Sequence, residues 1–189
     1  MTEIPAAPAA RAVPAALRAA QQSRQLDRKA FEAFYRTEMR RITGFLMNLG
    51  AGPYEAADAA HEAFETLLPD KWRELERPGA WLRTVAYRNY LRQTTARTQP
   101  TDSVPDRPGG TCPVDLVLLT EQQKTVLAAL DRLPPAERQA VAWRLDGFRH
   151  EETAQELRKD PAAVRQAYVR GRKKLISILA LRKEATSGE

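Results

Sequence analysis

The sequence predicts an all-α fold with two small helical domains. Large apolar residues recur every three or four positions in two segments, which is the spacing of an amphipathic helix. The alternation of Val and Ile that marks a strand is absent from the 189 residues. Pro and Gly residues separate the two segments. We therefore expect one domain at residues 28–96, a flexible linker at 97–115 and a second domain at 116–183.

The segments outside these domains are expected to be tails. The first twenty residues include nine Ala and three Pro. This low-complexity composition predicts a disordered tail at 1–27. A second, short tail is expected at 184–189. The linker contains four Pro and two Gly residues and almost no large apolar residue, which favours a semi-extended chain. Cys112 lies in it and, as the single cysteine, has no partner for an internal disulfide.

The first domain is expected to contain three helices. The first carries an apolar stripe and ends at the Gly- and Pro-containing turn 50–53. The second runs over about 54–68 and is broken by Pro69. The third covers about 80–96, after Pro78 and Gly79.

The second domain is expected to contain four helices. They cover about 114–131, 135–146, 149–158 and 161–181. The last of them has the clearest start, because Asp160 suits the N-cap and Pro161 suits the first helical position.

Composition excludes several classes of protein. No apolar run reaches the length of about 18 residues that a membrane span needs. One Cys and two His cannot form a Cys/His zinc cage, and no Gly-rich phosphate loop or nucleophile motif is present. We therefore expect a cytoplasmic protein with no membrane contact by itself, no catalytic residue, no metal and no cofactor.

The last helix concentrates the positive charge of the chain. Residues 165–183 include seven basic residues and no acidic one, whereas the whole chain has a net charge of +6. Such a stripe fits a phosphate backbone, although a solvated helix face would have the same composition. Because this helix follows a short helix and a tight turn, the pattern predicts a helix-turn-helix. Val164, Tyr168 and Gly171 are expected to pack inward, and the outward residues are expected to be Ala163, Arg165, Gln166, Ala167, Val169 and Arg170.

Two further patterns lie in the first domain. Glu55, Asp58, Glu62 and Glu65 share one face of the second helix, which fits docking on a basic protein surface or a solvated face. The stretch 71–92 interleaves four aromatic residues with six basic ones. Aromatic rings and guanidinium groups can stack unpaired bases and hold phosphates, although Trp residues at helical spacing also fit a core.

Five segments, in order, resemble motifs of the bacterial sigma factors of the extracytoplasmic-function group. These are DAAHEAF at 58–64, WLRTVAYRN at 81–89, LPPAER at 133–138, GF with EE-x-A at 147–154, and the basic helix at 164–174. The resemblance covers about 28–96 and 120–178. His61, Arg149 and Arg158 depart from the motifs, which have a Gln, a capping Ser and a turn Gly at these positions.

The resemblance implies a sigma factor that binds core RNA polymerase and directs promoter recognition and transcription initiation, with no catalysis of its own. Region two, at 28–96, would bind polymerase and the minus-ten element, and region four, at 116–183, would bind the minus-thirty-five element. The implied polymerase-binding residues are Asp58, His61, Glu62, Phe64 and Glu65. Those implied for the minus-ten region are Trp72, Arg77, Trp81, Arg83, Thr84, Tyr87, Arg88 and Asn89. Those expected to contact the upstream element are Ala163, Arg165, Gln166, Ala167, Val169, Arg170 and Lys173.

Other partners and functions remain open at this stage. Members of the group often have an anti-sigma factor, so such a partner is compatible with the sequence. A stand-alone dimeric helix-turn-helix regulator would bind a two-fold operator without polymerase. It leaves the acidic face and the aromatic stretch unexplained. A helical scaffold that binds only protein would show no affinity for DNA.

Overall fold

The computed structural model describes residues 15–67, 72–97 and 119–187, and within these ranges it contains helices and no strand. The expectation of an all-α fold is thereby confirmed. The helices are α1 (Ala15–Asn48), α2 (Pro53–Thr66), α3 (Pro78–Arg97), α4 (Glu121–Asp131), α5 (Pro135–Leu145), α6 (His150–Leu157) and α7 (Pro161–Ser187). None of these helices combines the length and the apolar character that a bilayer span requires.

Three helix boundaries differ clearly from the expected ones. α7 continues to Ser187, past the expected end near 181 and into the segment 184–189 that was expected to be a tail. α1 begins at Ala15, inside the segment expected to be a tail, because the Ala-rich sequence after Pro14 favours a helix. α4 begins at Glu121, because Thr120 caps it: the Gln123 backbone N–H donates to the Thr120 hydroxyl at 3.2 Å. Most of the expected linker, 97–115, lies outside the described residues.

The N-terminal domain is formed by α1, α2 and α3 around an apolar core. Ile42 and Leu46 of α1 and Leu82 of α3 are completely buried in it. α2 contributes a face of alanines, including the fully buried Ala60 and Ala63. Since alanine side chains are short, this face lets α2 lie close to α1 and α3.

The C-terminal domain is formed by α4 to α7, with α5 packed against α7. Leu130, Leu133 and Val141 form a buried cluster on which Leu175 and Ile178 of α7 pack. Gly171 lies where α7 comes closest to α5. A Cβ atom at this position would be 3.0 Å from a Val141 methyl group and 3.1 Å from the Glu137 carbonyl oxygen.

We expect Gly171→Ala to lower the free energy of unfolding by about 1–3 kcal/mol, because a backbone carbonyl cannot move aside as a flexible side chain can. Thermal or urea unfolding measures the effect. Gly44→Ala is the matched control, since Gly44 lies inside α1 with no atom within 4 Å of the added Cβ. It should raise stability by about 0.5–1 kcal/mol. Equal effects at the two positions would contradict the close approach of α5 and α7.

The two domains pack against each other. Trp143 of α5 is 1% exposed and belongs to the apolar cluster of the N-terminal domain, where its ring meets Phe45 of α1 edge-on at 5.1 Å between centroids. Phe148, between α5 and α6, also meets Trp143 edge-on, with 5.0 Å between ring centroids. The Arg138 Nε–H donates to the Asn48 carbonyl at the end of α1 over 2.8 Å. The apolar core is therefore continuous across the domain boundary.

Candidate nucleic-acid interface

α6 and α7 form the helix-turn-helix that the sequence predicts. Arg158 occupies the left-handed conformation in the turn, with φ of 52°, at the position where the sequence lacks the usual Gly. The Asp160 carboxylate accepts hydrogen bonds from the backbone N–H groups of Ala162 and Ala163, both at 3.3 Å, and so caps α7. α6 lacks a capping hydroxyl, but the Glu152 carboxylate accepts from the Arg149 backbone N–H at 2.7 Å.

The outward face of α7 is exposed, and half of its residues are basic. Its exposed residues are Ala163, Arg165, Gln166, Val169, Arg170 and Lys173. The expectation that Ala167 also points outward is wrong, because Ala167 is 6% exposed and joins a cluster with Ala140, Ala154 and Val164. Positions 164, 167, 168 and 171 share one face of a helix, so Ala167 falls on the inward side.

Acidic residues of neighbouring helices hold three of the cations of α7. Glu137 of α5 is nearly buried, and its Oε1 lies 2.9 Å from the Lys174 ammonium and 3.6 Å from the Arg170 guanidinium. Glu151 of α6 accepts from Arg165 at 3.4 Å, and hydrogen bonding holds the pKa of its carboxyl below the ordinary value. Because these cations keep one exposed side, they remain available to an anionic surface.

The acidic face of α2 is partly engaged within the N-terminal domain. Asp58 and Glu65 are exposed, whereas Glu62 forms an ion pair with Arg92 at 2.8 Å. Glu55 accepts from the Gly52 backbone N–H at 3.0 Å, which satisfies the start of α2. The Glu55 and Glu62 carboxylates therefore have structural partners, and Asp58 and Glu65 lie at the surface.

Two other residues expected to bind polymerase lie inward. Phe64 is 6% exposed and packs edge-on against Tyr35 of α1, with 4.7 Å between ring centroids. His61 is half-buried, and its Nδ1 lies 2.9 Å from the Tyr35 hydroxyl. Both side chains therefore join α2 to α1.

The residues expected to contact the minus-ten region divide into three groups. Arg88 is exposed on α3. Trp72, Trp81 and Asn89 pack within the N-terminal domain: the Trp72 ring stacks on Phe34 at 4.8 Å, Trp81 packs on the apolar core, and Asn89 is 6% exposed. The third group, formed by Arg77, Arg83, Thr84 and Tyr87, faces the C-terminal domain.

Arg83 is the most deeply buried member of this third group. Its side chain is 3% exposed, and one terminal nitrogen donates to the Glu38 carboxylate and to the Gly79 carbonyl, both at 2.7 Å. Its Nε–H donates to Asp146 at the end of α5. The guanidinium also lies over the Phe148 ring, 5.1 Å from the centroid.

The other members of the group meet α6 and the start of α5. Arg77 forms an ion pair with Glu152 of α6 at 2.9 Å. The Thr84 hydroxyl donates to Glu156 of α6 at 3.3 Å. Burial raises the pKa of the Tyr87 hydroxyl, and the positive charge of Arg138 opposes this shift.

Sequence reasoning did not identify the residues of the C-terminal domain that cover this group. They are Trp143, Asp146, Phe148, Glu152 and Glu156. One feature of the sequence could have indicated this contact: Trp143 is a large aromatic residue in a helix with few other large apolar residues. Its spacing does not identify Phe45 as the residue it packs on. Among the described residues, no group of three or more His, Cys, Asp or Glu is placed to hold a metal ion.

Comparisons with known proteins agree with this geometry. Residues 121–175, which span α4 to the middle of α7, match the family model described as Sigma-70, region 4. Among solved structures, the chain resembles the sigma factor RpoE from Bartonella quintana, solved in complex with the anti-sigma factor NepR. The identity is 18%, the TM-score is 0.61, and the match covers 80% of this chain and 98% of that one. No curated protein matches this chain. The matched region contains the helix-turn-helix formed by α6 and the first half of α7.

Proposed function

We propose that this chain is a sigma factor of the extracytoplasmic-function group, which binds core RNA polymerase and directs promoter recognition and transcription initiation. The match of residues 121–175 to Sigma-70, region 4, carries the proposal, because the matched helices display the exposed basic face of α7. A helix with one face on its partner helix and a basic opposite face suits the major groove of duplex DNA. Sigma factors are non-catalytic, so the chain is not expected to be an enzyme.

The N-terminal domain supplies the second half of the proposed function. Asp58 and Glu65, exposed on α2, offer negative charge to a basic surface of core polymerase. The aromatic and basic residues of α3 and of the turn before it would capture unstacked bases of the minus-ten region. Because the similar solved sigma factor is bound to an anti-sigma factor, we also include such a protein among the proposed partners.

Run-off transcription with core polymerase on a promoter library tests the proposal. We expect start sites that depend on the chain. We also expect their loss when three exposed basic residues of α7 are removed together by Arg165→Ala, Arg170→Ala and Lys173→Ala. If these residues contact phosphates, the slope of log affinity against log salt for the upstream duplex should fall by about three, roughly one per residue.

The control removes the same charge from α1. Lys29→Ala, Arg36→Ala and Arg40→Ala change three exposed basic residues outside the candidate interface and should leave the start sites in place. A chain that creates no new start site with core polymerase would overturn the proposal. Binding to a two-fold duplex site without polymerase would instead favour a stand-alone regulator.

A further inference from the structure

One carboxylate of α5 holds two basic residues of α7. The Oε1 atom of Glu137 lies 2.9 Å from the Lys174 ammonium and 3.6 Å from the Nε atom of Arg170. The Glu137 side chain is only 8% exposed, whereas the side chains of Arg170 and Lys174 are about half exposed. Each cation is therefore held by α5 on one side and open to solvent on the other.

The close approach of α5 and α7 fixes this arrangement. A Cβ atom added to Gly171 would lie 3.1 Å from both the Cβ atom and the carbonyl oxygen of Glu137, so the two backbones come together at these residues. Arg170 directly precedes Gly171, and Lys174 lies four positions after Arg170 on the same face of the helix. The carboxylate is therefore within reach of both cations at the point where α7 is most rigidly held.

Stability alone does not explain a carboxylate at this position. The Oε2 atom of Glu137 is buried, and no described residue donates a hydrogen bond to it. A buried acceptor without a partner lowers the stability of a fold. Ion pairs with half-exposed cations contribute little to stability in return. A role in binding is therefore the better explanation for Glu137.

The ion pair leaves the recognition fork of Arg170 for an outside partner. Its Nε atom makes the contact with Glu137, so the two terminal nitrogens remain for an acceptor on DNA. A guanidinium binds O6 and N7 of guanine through two parallel hydrogen bonds in the major groove. An arginine side chain has many rotamers, and a contact that restricts them before binding lowers the entropic cost of the complex.

We propose that Glu137 is a positioning residue that determines specificity by orienting Arg170 toward a guanine of the upstream duplex. The inference rests on the proposed function, in which α7 enters the major groove. Glu137 does not contact DNA itself, and its negative charge opposes the attraction of α7 for phosphates. It therefore increases sequence discrimination at the expense of general affinity for DNA.

The sequence preference of the full chain, alone and with core polymerase, tests this role. Duplexes that the chain selects from a random library are sequenced, which gives the preferred base pair at each position. Arg170→Ala identifies the position that Arg170 contacts, where we expect the wild type to prefer guanine. Glu137→Gln keeps the size of the side chain and removes its charge. It should lower the preference at that position about tenfold and leave the other positions unchanged.

Affinity for a random-sequence duplex gives an independent readout. Glu137→Gln should bind this duplex several-fold more tightly, and the slope of log affinity against log salt should become steeper by about one, because the released Arg170 can contact a phosphate. Glu137→Asp keeps the charge but shortens the side chain by one methylene. It should lose the guanine preference without the gain in affinity. Glu121→Gln is the matched control, since it removes a carboxylate of α4 that pairs with Lys124, and it should behave as the wild type.

Three results would overturn the inference. In the first, Glu137→Gln and Glu137→Asp keep the preference at the position that Arg170 contacts. In the second, both variants weaken the preference at every position equally, which is the effect of a purely structural residue. In the third, the wild type selects no sequence at all. Failure of the run-off assay would instead count against the proposed function, because the selection of duplexes does not require transcription.

Discussion

Arg83→Ala is expected to lower the free energy of unfolding by about 3–5 kcal/mol. Arg83 is the buried partner of Glu38, whose side chain is 10% exposed, and it also pairs with Asp146. Removing the guanidinium leaves Asp146 without its ion pair and leaves Glu38 with only the exposed Arg41. A buried carboxylate that loses its partner is strongly destabilising, whereas an exposed arginine that contacts only DNA contributes little to stability. Urea unfolding of the full chain measures the difference.

A second arginine on the same helix provides the control. Arg92 is 68% exposed and pairs with Glu62, so Arg92→Ala should cost no more than about 1 kcal/mol. Glu38→Gln combined with Arg83→Met removes both partners and should recover part of the loss, because no buried Glu38 charge then remains unpaired. If Arg83→Ala were as mild as Arg92→Ala, Arg83 would have to be free in solution and the described ion pairs would not be formed.

Reversing the charge of the exposed residues of α2 is expected to weaken association with core polymerase by about a hundredfold. Asp58→Lys and Glu65→Lys place two cations on the surface that the proposed function assigns to a basic partner. Like charges brought together at an interface cost several kcal/mol, and each 1.4 kcal/mol corresponds to about tenfold in affinity. Titration of labelled chain with core polymerase measures the dissociation constant, and the loss should shrink as salt is raised.

The control reverses two charges elsewhere on the same domain. Glu74 and Glu76 are exposed and lie before α3, outside the acidic face of α2. Glu74→Lys with Glu76→Lys produces the same change in net charge and should alter affinity only slightly. Equal losses from both pairs would point to a general effect of net charge, and the assignment of α2 as the docking face would then be rejected.

Local sequence signals predicted the helices well because they depend on neighbouring residues. Asp160 and Pro161 mark the start of α7, and the cap formed by Asp160 is present in the structure. The turn before α7 was also correctly placed, although Arg158 takes the left-handed conformation that glycine adopts more easily. The segment 15–27 was misread, because a count of Ala and Pro does not distinguish a tail from a helix that begins after the last proline.

The candidate site was harder to predict because its contacts join distant parts of the chain. Arg83 was expected to contact the minus-ten region, but its carboxylate partners lie 45 and 63 positions away in the sequence and hold its side chain inside the molecule. Ala167 was expected on the outer face of α7, because a small side chain gives no signal of direction; Ala140 and Ala154 of other helices decide it. The roles of these residues toward DNA remain predictions, and the structure adds their intramolecular partners.

The shared position of Trp143 has a practical consequence for dissecting the molecule. The Trp143 indole packs beside Phe45. Cutting the chain into separate domain fragments would therefore expose an apolar depression on one fragment and the Trp143 ring on the other. Such fragments are expected to self-associate during purification, because exposed apolar and aromatic surface promotes aggregation. Measurements on isolated domains would therefore report on aggregation-prone fragments, so the full-length chain should be used.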